Sequence, residues 1–81
     1  LAPVADVLLA AESPIVGVRS FGADPDAVAH AARAFARGLA LGGAAGCAKH
    51  FPGHGSARED SHVALPRVAD ATLAARELIP F

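Results

Sequence analysis

The residues with the most chemistry to offer lie within fourteen positions: Lys49-His50-Phe51-Pro52-Gly53-His54-Gly55 and, after four further residues, Asp60-Ser61-His62. One lysine, three histidines and an aspartate supply donors, acceptors and proton carriers for acid–base work, hydroxyl binding or metal ligation. Pro52, Gly53 and Gly55 forbid a continuous helix, so the stretch is predicted to be an irregular loop. Residue types alone leave several readings open. Asp60 and His62 form a hydrogen-bonded pair on a solvated loop, or the cluster works on a substrate, or His50, His54, Asp60 and His62 ligate zinc or a related ion. The i, i+4 spacing of His50 and His54 matches a helical metal pair, but Pro52 and Gly53 work against that helix.

Such a loop needs rigid elements on either side. Residues 1–9 are apolar around Asp6 and include Val4, Val7 and Leu8, which predicts a strand buried on both faces with Asp6 as a structural residue at its end. Residues 10–23 form a long connection with Pro14, Gly17 and Gly22, and structureless loops of this length are usually functional. Asp24-Pro25-Asp26 opens a helix: Asp24 caps free amides, Pro25 sits where its missing N–H costs nothing, and acid in the first turn favours the dipole. Val28, Ala32, Phe35 and Leu39 recur at steps of four, three and four as one inward stripe, with His30, Arg33 and Arg37 off it and His30 solvated. Gly42-Gly43 stops the helix.

Residues 46–51 are predicted as a second strand, although they are weak in β-branched residues. Leu65-Pro66 ends the loop, and Asp70 or Thr72 starts a short helix through Leu78, with Leu73, Leu78 and Ala74 on its packed side. Residues 53–66 are expected to be mobile, since the glycines give freedom and an acid/base must approach its substrate after binding. Strand, helix, strand, helix implies an α/β fold with parallel strands and right-handed crossovers. Chemistry in such folds collects at the C-terminal ends of strands, where residues 19–22 and 49–62 fall.

With 81 residues, the chain makes at most one small domain. Its 53% hydrophobic content includes 21 alanines, which remove little apolar area from water, and large apolar residues are few. The expectation is a segment of a larger core, cut at both ends. A net charge of −1, from seven basic and eight acidic residues, gives no basic face for nucleic acid and no polybasic segment for a membrane surface. No run reaches the roughly 18 apolar residues of a membrane span. No signal peptide is visible, and export is left open. The single Cys47 cannot form an internal disulfide and is predicted to be a buried small hydrophobe.

Pro3-Val4-Ala5-Asp6-Val7, Arg19-Ser20-Phe21-Gly22 with Asp24-Pro25, Lys49 through Gly55, Asp60-Ser61-His62 with Leu65-Pro66, and Glu77-Leu78-Ile79-Pro80-Phe81 follow one another across the whole chain. Together they resemble the catalytic barrel of glycoside hydrolase family 3, and within it the bacterial β-N-acetylhexosaminidases of the NagZ type. The joint presence of Lys-His-Phe-Pro-Gly-His-Gly and Asp-Ser-His is more specific than either half. A lone Lys-His-Phe would leave the family's β-glucosidases open.

The resemblance implies that the chain is a partial catalytic domain over residues 1–81, about one third of a (β/α)8 TIM-type barrel of roughly 250 residues. It implies retaining exo-hydrolysis of β-linked N-acetylglucosamine, drawn from peptidoglycan fragments. His62 takes the role of general acid/base and Asp60 orients it, while Lys49, His50 and Arg19 bind sugar hydroxyls. A carboxylate beside an imidazole raises its pKa and selects one tautomer, which suits a group that gives a proton and later takes one. Most retaining glycosidases use two carboxyl groups, so a histidine departs from that pattern. No metal or cofactor is implied. The nucleophile is an aspartate on a later strand, beyond Phe81, and further sugar-binding residues precede Leu1, so the segment by itself is expected to be inactive. The remainder of the barrel and a carbohydrate substrate are the implied partners.

Other readings stay beside this one. A family 3 β-glucosidase or glycoside phosphorylase fits the same motif, and a metal site or a non-catalytic carbohydrate-binding relic fits parts of it. Arg19 alternatively pairs with Asp24 or Asp26. His54 is expected to pin the turn to a backbone carbonyl rather than touch sugar. Val18, before Arg19, stands where relatives often carry a polar residue, and Glu12 lies on a loop without an identifiable partner.

Overall fold

The computed structural model describes residues 2–10, 13–65 and 67–81. Leu1, Glu12 and Pro66, on which the expected strand start, the unpartnered acid and the end of the loop fall, lie outside the described residues. In chain order the elements are a 3₁₀ turn at Gly17–Arg19, helix α1 at Pro25–Leu41, and α2 at Asp70–Thr72, which continues as a π turn through Leu73–Glu77.

The two predicted strands are reduced to one parallel bridge, Val4 to Lys49. Cys47 N donates to Ala2 O at 2.8 Å, Lys49 N to Pro3 O at 3.1 Å and Ala5 N to Lys49 O at 2.7 Å. The orientation is parallel, as the element order implies, but the ladder stops after Lys49 for a visible reason. Beyond Lys49, His50 N at 3.1 Å and His54 N at 2.8 Å turn to the carboxylate of Asp6, and Gly53 N turns back to His50 O at 2.8 Å. A side chain takes the donors that a continuing sheet would have used. Pro3 and Pro52, which carry no N–H, shorten the ladder further.

Helix α1 forms as its sequence predicts. Ala27 N donates to Asp24 Oδ2 at 3.3 Å, Pro25 occupies the first turn, and Asp26 adds negative charge there. At the other end Gly43 adopts φ +81° and Ala44 N reaches back to Leu39 O at 2.9 Å, a closure that favours glycine at the left-handed position. Val28 and Ala32 are buried, but the stripe is covered only in its first half: Phe35 is 44% exposed and Leu39 is half-buried. Phe35 meets the ring of Phe21 at 6.2 Å, tying the long connection to the helix. His30 is exposed, as its place off the stripe implies.

The core gathers Val4, Ala5, Val7, Val16, Val28, Ala32 and Ala57. Cys47 corrects the sequence reading. It is exposed, because residues 41–48 run along the outside of the described chain and nothing described covers them. The last helix is also corrected. Its turn widens to a π turn, Ala74 is exposed, Leu78 is 39% exposed, and Glu77 instead is fully buried. Arg76 Nη2 reaches Ala23 O at 3.3 Å, and Phe81 packs edge-on against Phe51 at 5.6 Å, so the C-terminal turn leans on both the long connection and the loop. Among the described residues, no helix is long and apolar enough to cross a membrane.

Candidate active site

Asp6 organises the site. It is fully buried and its carboxylate accepts three hydrogen bonds: His54 N at 2.8 Å on Oδ1, with His50 N at 3.1 Å and His50 Nδ1 at 2.6 Å on Oδ2. Its backbone carbonyl accepts from Ser20 Oγ at 2.8 Å, and Ser20 Oγ also accepts from Gly22 N at 3.1 Å. One residue on the first extended segment therefore holds both the 19–22 connection and the Lys49–Gly55 motif. The sequence reading placed Asp6 as structural at a strand end. The signal for its larger part was an acid inside an apolar run, because a buried carboxylate needs donors and the nearest donor-rich stretch is the histidine motif.

The consequence for His50 is a fixed ring. With Nδ1–H donated to a carboxylate, the neutral imidazole leaves Nε2 as its acceptor. His54 sits behind it, ring centroids 6.1 Å apart and edge-on. Its ring makes no hydrogen bond among the described residues, so the expected pin to a backbone carbonyl is absent and the backbone N–H of His54, bonded to Asp6, does the pinning instead. Gly55 shows how closely this segment is laid down. A Cβ there would stand 1.5 Å from Val7 O, while Gly55 O accepts from Leu9 N at 3.1 Å and Ala10 N at 2.8 Å. The Lys49–His50 and Phe51–Pro52 peptide bonds are cis.

Asp60 and His62 form a local pair. Asp60 Oδ1 accepts from His62 N at 2.8 Å and lies 2.8 Å from His62 Nδ1. The His62 amide, then its ring, hold the Asp60 carboxyl below the usual carboxylate range. An ionised carboxylate only accepts, so Nδ1 carries the hydrogen and Nε2 is free to take or give a proton. The side chain of His62 is 82% exposed, so that nitrogen is reachable from solvent.

Beside the pair lies a cavity of about 400 Å³, within the range of small-ligand pockets, lined by His50, Pro52, His54, Ser61, Val68 and Leu73 among others. His50 and Ser61 thus bring the motif and the Asp60–His62 turn to one cavity. Asp60 and His62 themselves do not line it, nor do Lys49, at the bridge, and Arg19. Arg19 is exposed and its guanidinium donates to Ile15 O; among the described residues it makes no ion pair with Asp24 or Asp26. Among the described residues, no group of three or more His, Cys, Asp or Glu side chains that could hold a metal ion forms.

Comparison with known families matches residues 1–81 to the glycosyl hydrolase family 3 N-terminal domain. The chain belongs to glycoside hydrolase family 3. A β-hexosaminidase of Neisseria meningitidis serogroup C is 51% identical over 70 residues, 84% of this chain and 19% of that protein. Among solved structures, a family 3 β-N-acetylglucosaminidase from Paenibacillus sp. strain FPU-7 superposes with a TM-score of 0.93 at 43% identity over 99% of this chain and 16% of its own. NagZ from Neisseria gonorrhoeae, in complex with N-trifluoroacetyl-D-glucosamine, gives 0.85 at 43% identity over 99% of this chain and 23% of its own. The family 3 chain described here therefore spans about a fifth of the length of these relatives.

Proposed function

We propose that this chain is part of the catalytic domain of a retaining exo-β-N-acetylglucosaminidase that acts on N-acetylglucosamine glycosides, including those released from peptidoglycan. The observation that carries the reading is the Asp60–His62 pair, 2.8 Å between Oδ1 and Nδ1, with an exposed ring on the turn whose Ser61 lines the same cavity as His50. The names of the relatives support it: a β-hexosaminidase in one case and a β-N-acetylglucosaminidase in another. So does the bound N-trifluoroacetyl-D-glucosamine of the gonococcal protein.

In this reading His62 starts as an imidazolium whose Nε2–H protonates the leaving glycosidic oxygen; the neutral ring so formed later takes a proton from the incoming water, and Asp60 stabilises the imidazolium present before the first transfer and restored by the second. Lys49 and His50 bind ring hydroxyls, and Arg19 reaches the sugar from the preceding connection. The nucleophilic aspartate belongs to a later strand of the (β/α)8 barrel, of which residues 1–81 supply about one third, with the bridge and α1 as one of its βαβ units. The test is made on the full-length enzyme, comparing hydrolysis of an aryl β-N-acetylglucosaminide with that of the matching β-glucoside, for wild type and His62→Ala. Preference for the N-acetyl substrate and a loss of about 10²–10⁴-fold in the variant are expected. Undiminished activity of His62→Ala would reduce Asp60-Ser61-His62 to loop structure and return the assignment to a general family 3 glycosidase.

A further inference from the structure

Residues 58–65, which carry Asp60 and His62, are poorly held by contacts of their own. All but Asp60 are exposed, and their hydrogen bonds are internal among the described residues: Val63 N and Ala64 N to Asp60 O, both 2.9 Å, and the two bonds from His62 to Asp60. Position must reach the pair from the ends of the loop. On the N-terminal side, residues 53–57 are laid against the first extended segment through Gly55, and Ala57 is fully buried. On the C-terminal side stands the π turn Leu73–Glu77.

Glu77 joins these two ends. It is fully buried, and its Oε1 accepts from Ser56 N at 2.8 Å across 21 residues of chain. Its side chain lies flat against Gly53, where a Cβ would come within 2.2 Å of Oε2 and 2.5 Å of the Glu77 Cβ. Gly53 also has φ +136°, so glycine is required there twice, once for the backbone and once for the space that Glu77 fills. Burying a carboxylate is costly and is tolerated where its hydrogen bond fixes something. Here the bond closes the base of the loop, and the closure is made by the very residue that interrupts the apolar side of the last helix.

We propose that Glu77 is a positioning residue: a buried carboxylate clamp that ties Ser56 to the C-terminal turn and so holds the Asp60–His62 loop over the cavity lined by His50, His54 and Ser61. The clamp touches neither substrate nor the reacting atoms and acts through the loop. Its catalytic consequence rests on the reading of His62 as acid/base. Its structural consequence does not.

The experiment therefore reads both, on the full-length protein, for Glu77→Ala and Glu77→Gln. Hydrogen exchange is followed by mass spectrometry in residues 57–65 and, as an internal reference, in α1. Glu77→Ala is expected to speed exchange in 57–65 and leave α1 unchanged, whereas Glu77→Gln, which keeps an acceptor oxygen for Ser56 N, stays close to wild type. In hydrolysis of the aryl N-acetylglucosaminide, Glu77→Ala is expected to lower kcat by about 10²-fold with KM little changed, as misplacement of a catalytic group does, and to keep the wild-type shape of the pH profile. Glu77→Gln recovers most of that loss. Where Glu77→Ala does not fold, Glu77→Asp carries the test, because it keeps the carboxyl group and withdraws the oxygen by one methylene; intermediate losses in both readouts are expected. Unchanged exchange in 57–65, or a folded Glu77→Gln as impaired as Glu77→Ala, overturns the clamp. Absence of hydrolysis by the wild type overturns the proposed activity alone, since the exchange readout still decides the clamp.

Discussion

At the scale of single residues, two aspartates of opposite surroundings divide the work of the site. Asp6 is buried and accepts two backbone N–H groups and one ring N–H, so it sets where the histidine motif lies. Replacing it by alanine strands three donors, each costing about 1–3 kcal/mol if left unpaired in the interior. Asp6→Ala is therefore expected to lower the urea midpoint sharply, and Asp6→Asn, which keeps one acceptor oxygen, to fall between; equal midpoints for Asp6→Ala and wild type would remove Asp6 from its central place. Asp60 sits nearer solvent, and its carboxyl is held below the usual range by the His62 amide and ring. A carboxyl whose pKa is lowered on folding stabilises the turn fully above its unfolded value, about 3.9, and loses that contribution as pH falls through the lower folded value. Carbon-detected NMR titration of Asp60 is expected to show a midpoint below about 3.9, moving upward in His62→Ala as the ring bond is lost. A wild-type midpoint at or above the ordinary value would mean that the pair does not form in solution.

At the scale of elements, what was legible in the sequence and what was not divides along local against non-local forces. Helix α1 was readable from Asp24-Pro25 to Gly42-Gly43 because capping, proline at the first turn and glycine closure are decided within a few residues. The same locality makes it testable: Asp24→Ala is expected to cost about 1 kcal/mol and to speed amide exchange at the helix N-terminus, most of all at Ala27. An unchanged Ala27 amide would show the cap to be idle. The strands were not readable in full, since their ladder is cut short by a carboxylate 44 residues from His50, and no window along the chain contains both. The inward turn of Glu77 escaped for a like reason. Apolar spacing favours Leu78, but the π turn shifts the register and presents the acid. The mobile loop expected over 53–66 separates into a fixed part, 53–57, pinned at Gly55 and Ser56, and an exposed part, 58–65. The Asp60–His62 contact was legible because it too is local, two residues apart.

At the scale of the whole molecule, the question is how much of an enzyme this chain supplies. Phe51, Val63, Leu65 and Leu41 are 72%, 85%, 85% and 92% exposed, and the second half of the α1 stripe lacks cover among the described residues. A domain that completes its own core does not leave side chains of this size in water in such number. The chain also spans only 19% of the N. meningitidis relative, and a barrel of this type needs roughly 250 residues to close its sheet. A retaining mechanism further requires a nucleophile opposite the acid/base, about 5–5.5 Å away where both are carboxyl groups. Glu77, the fully buried acid nearest the cavity wall at Gly53, is turned to Ser56 and closed off from solvent, and Asp6 is spent on three donors. Neither can attack a sugar. The 81-residue chain expressed by itself is therefore expected to hydrolyse an aryl β-N-acetylglucosaminide no faster than its own His62→Ala form, the proposed activity requiring the full-length protein. Turnover by the isolated chain above that control would mean that one of these carboxylates, or Glu59 beside the pair, serves as nucleophile, and the division of labour between this segment and the rest of the barrel would have to be redrawn.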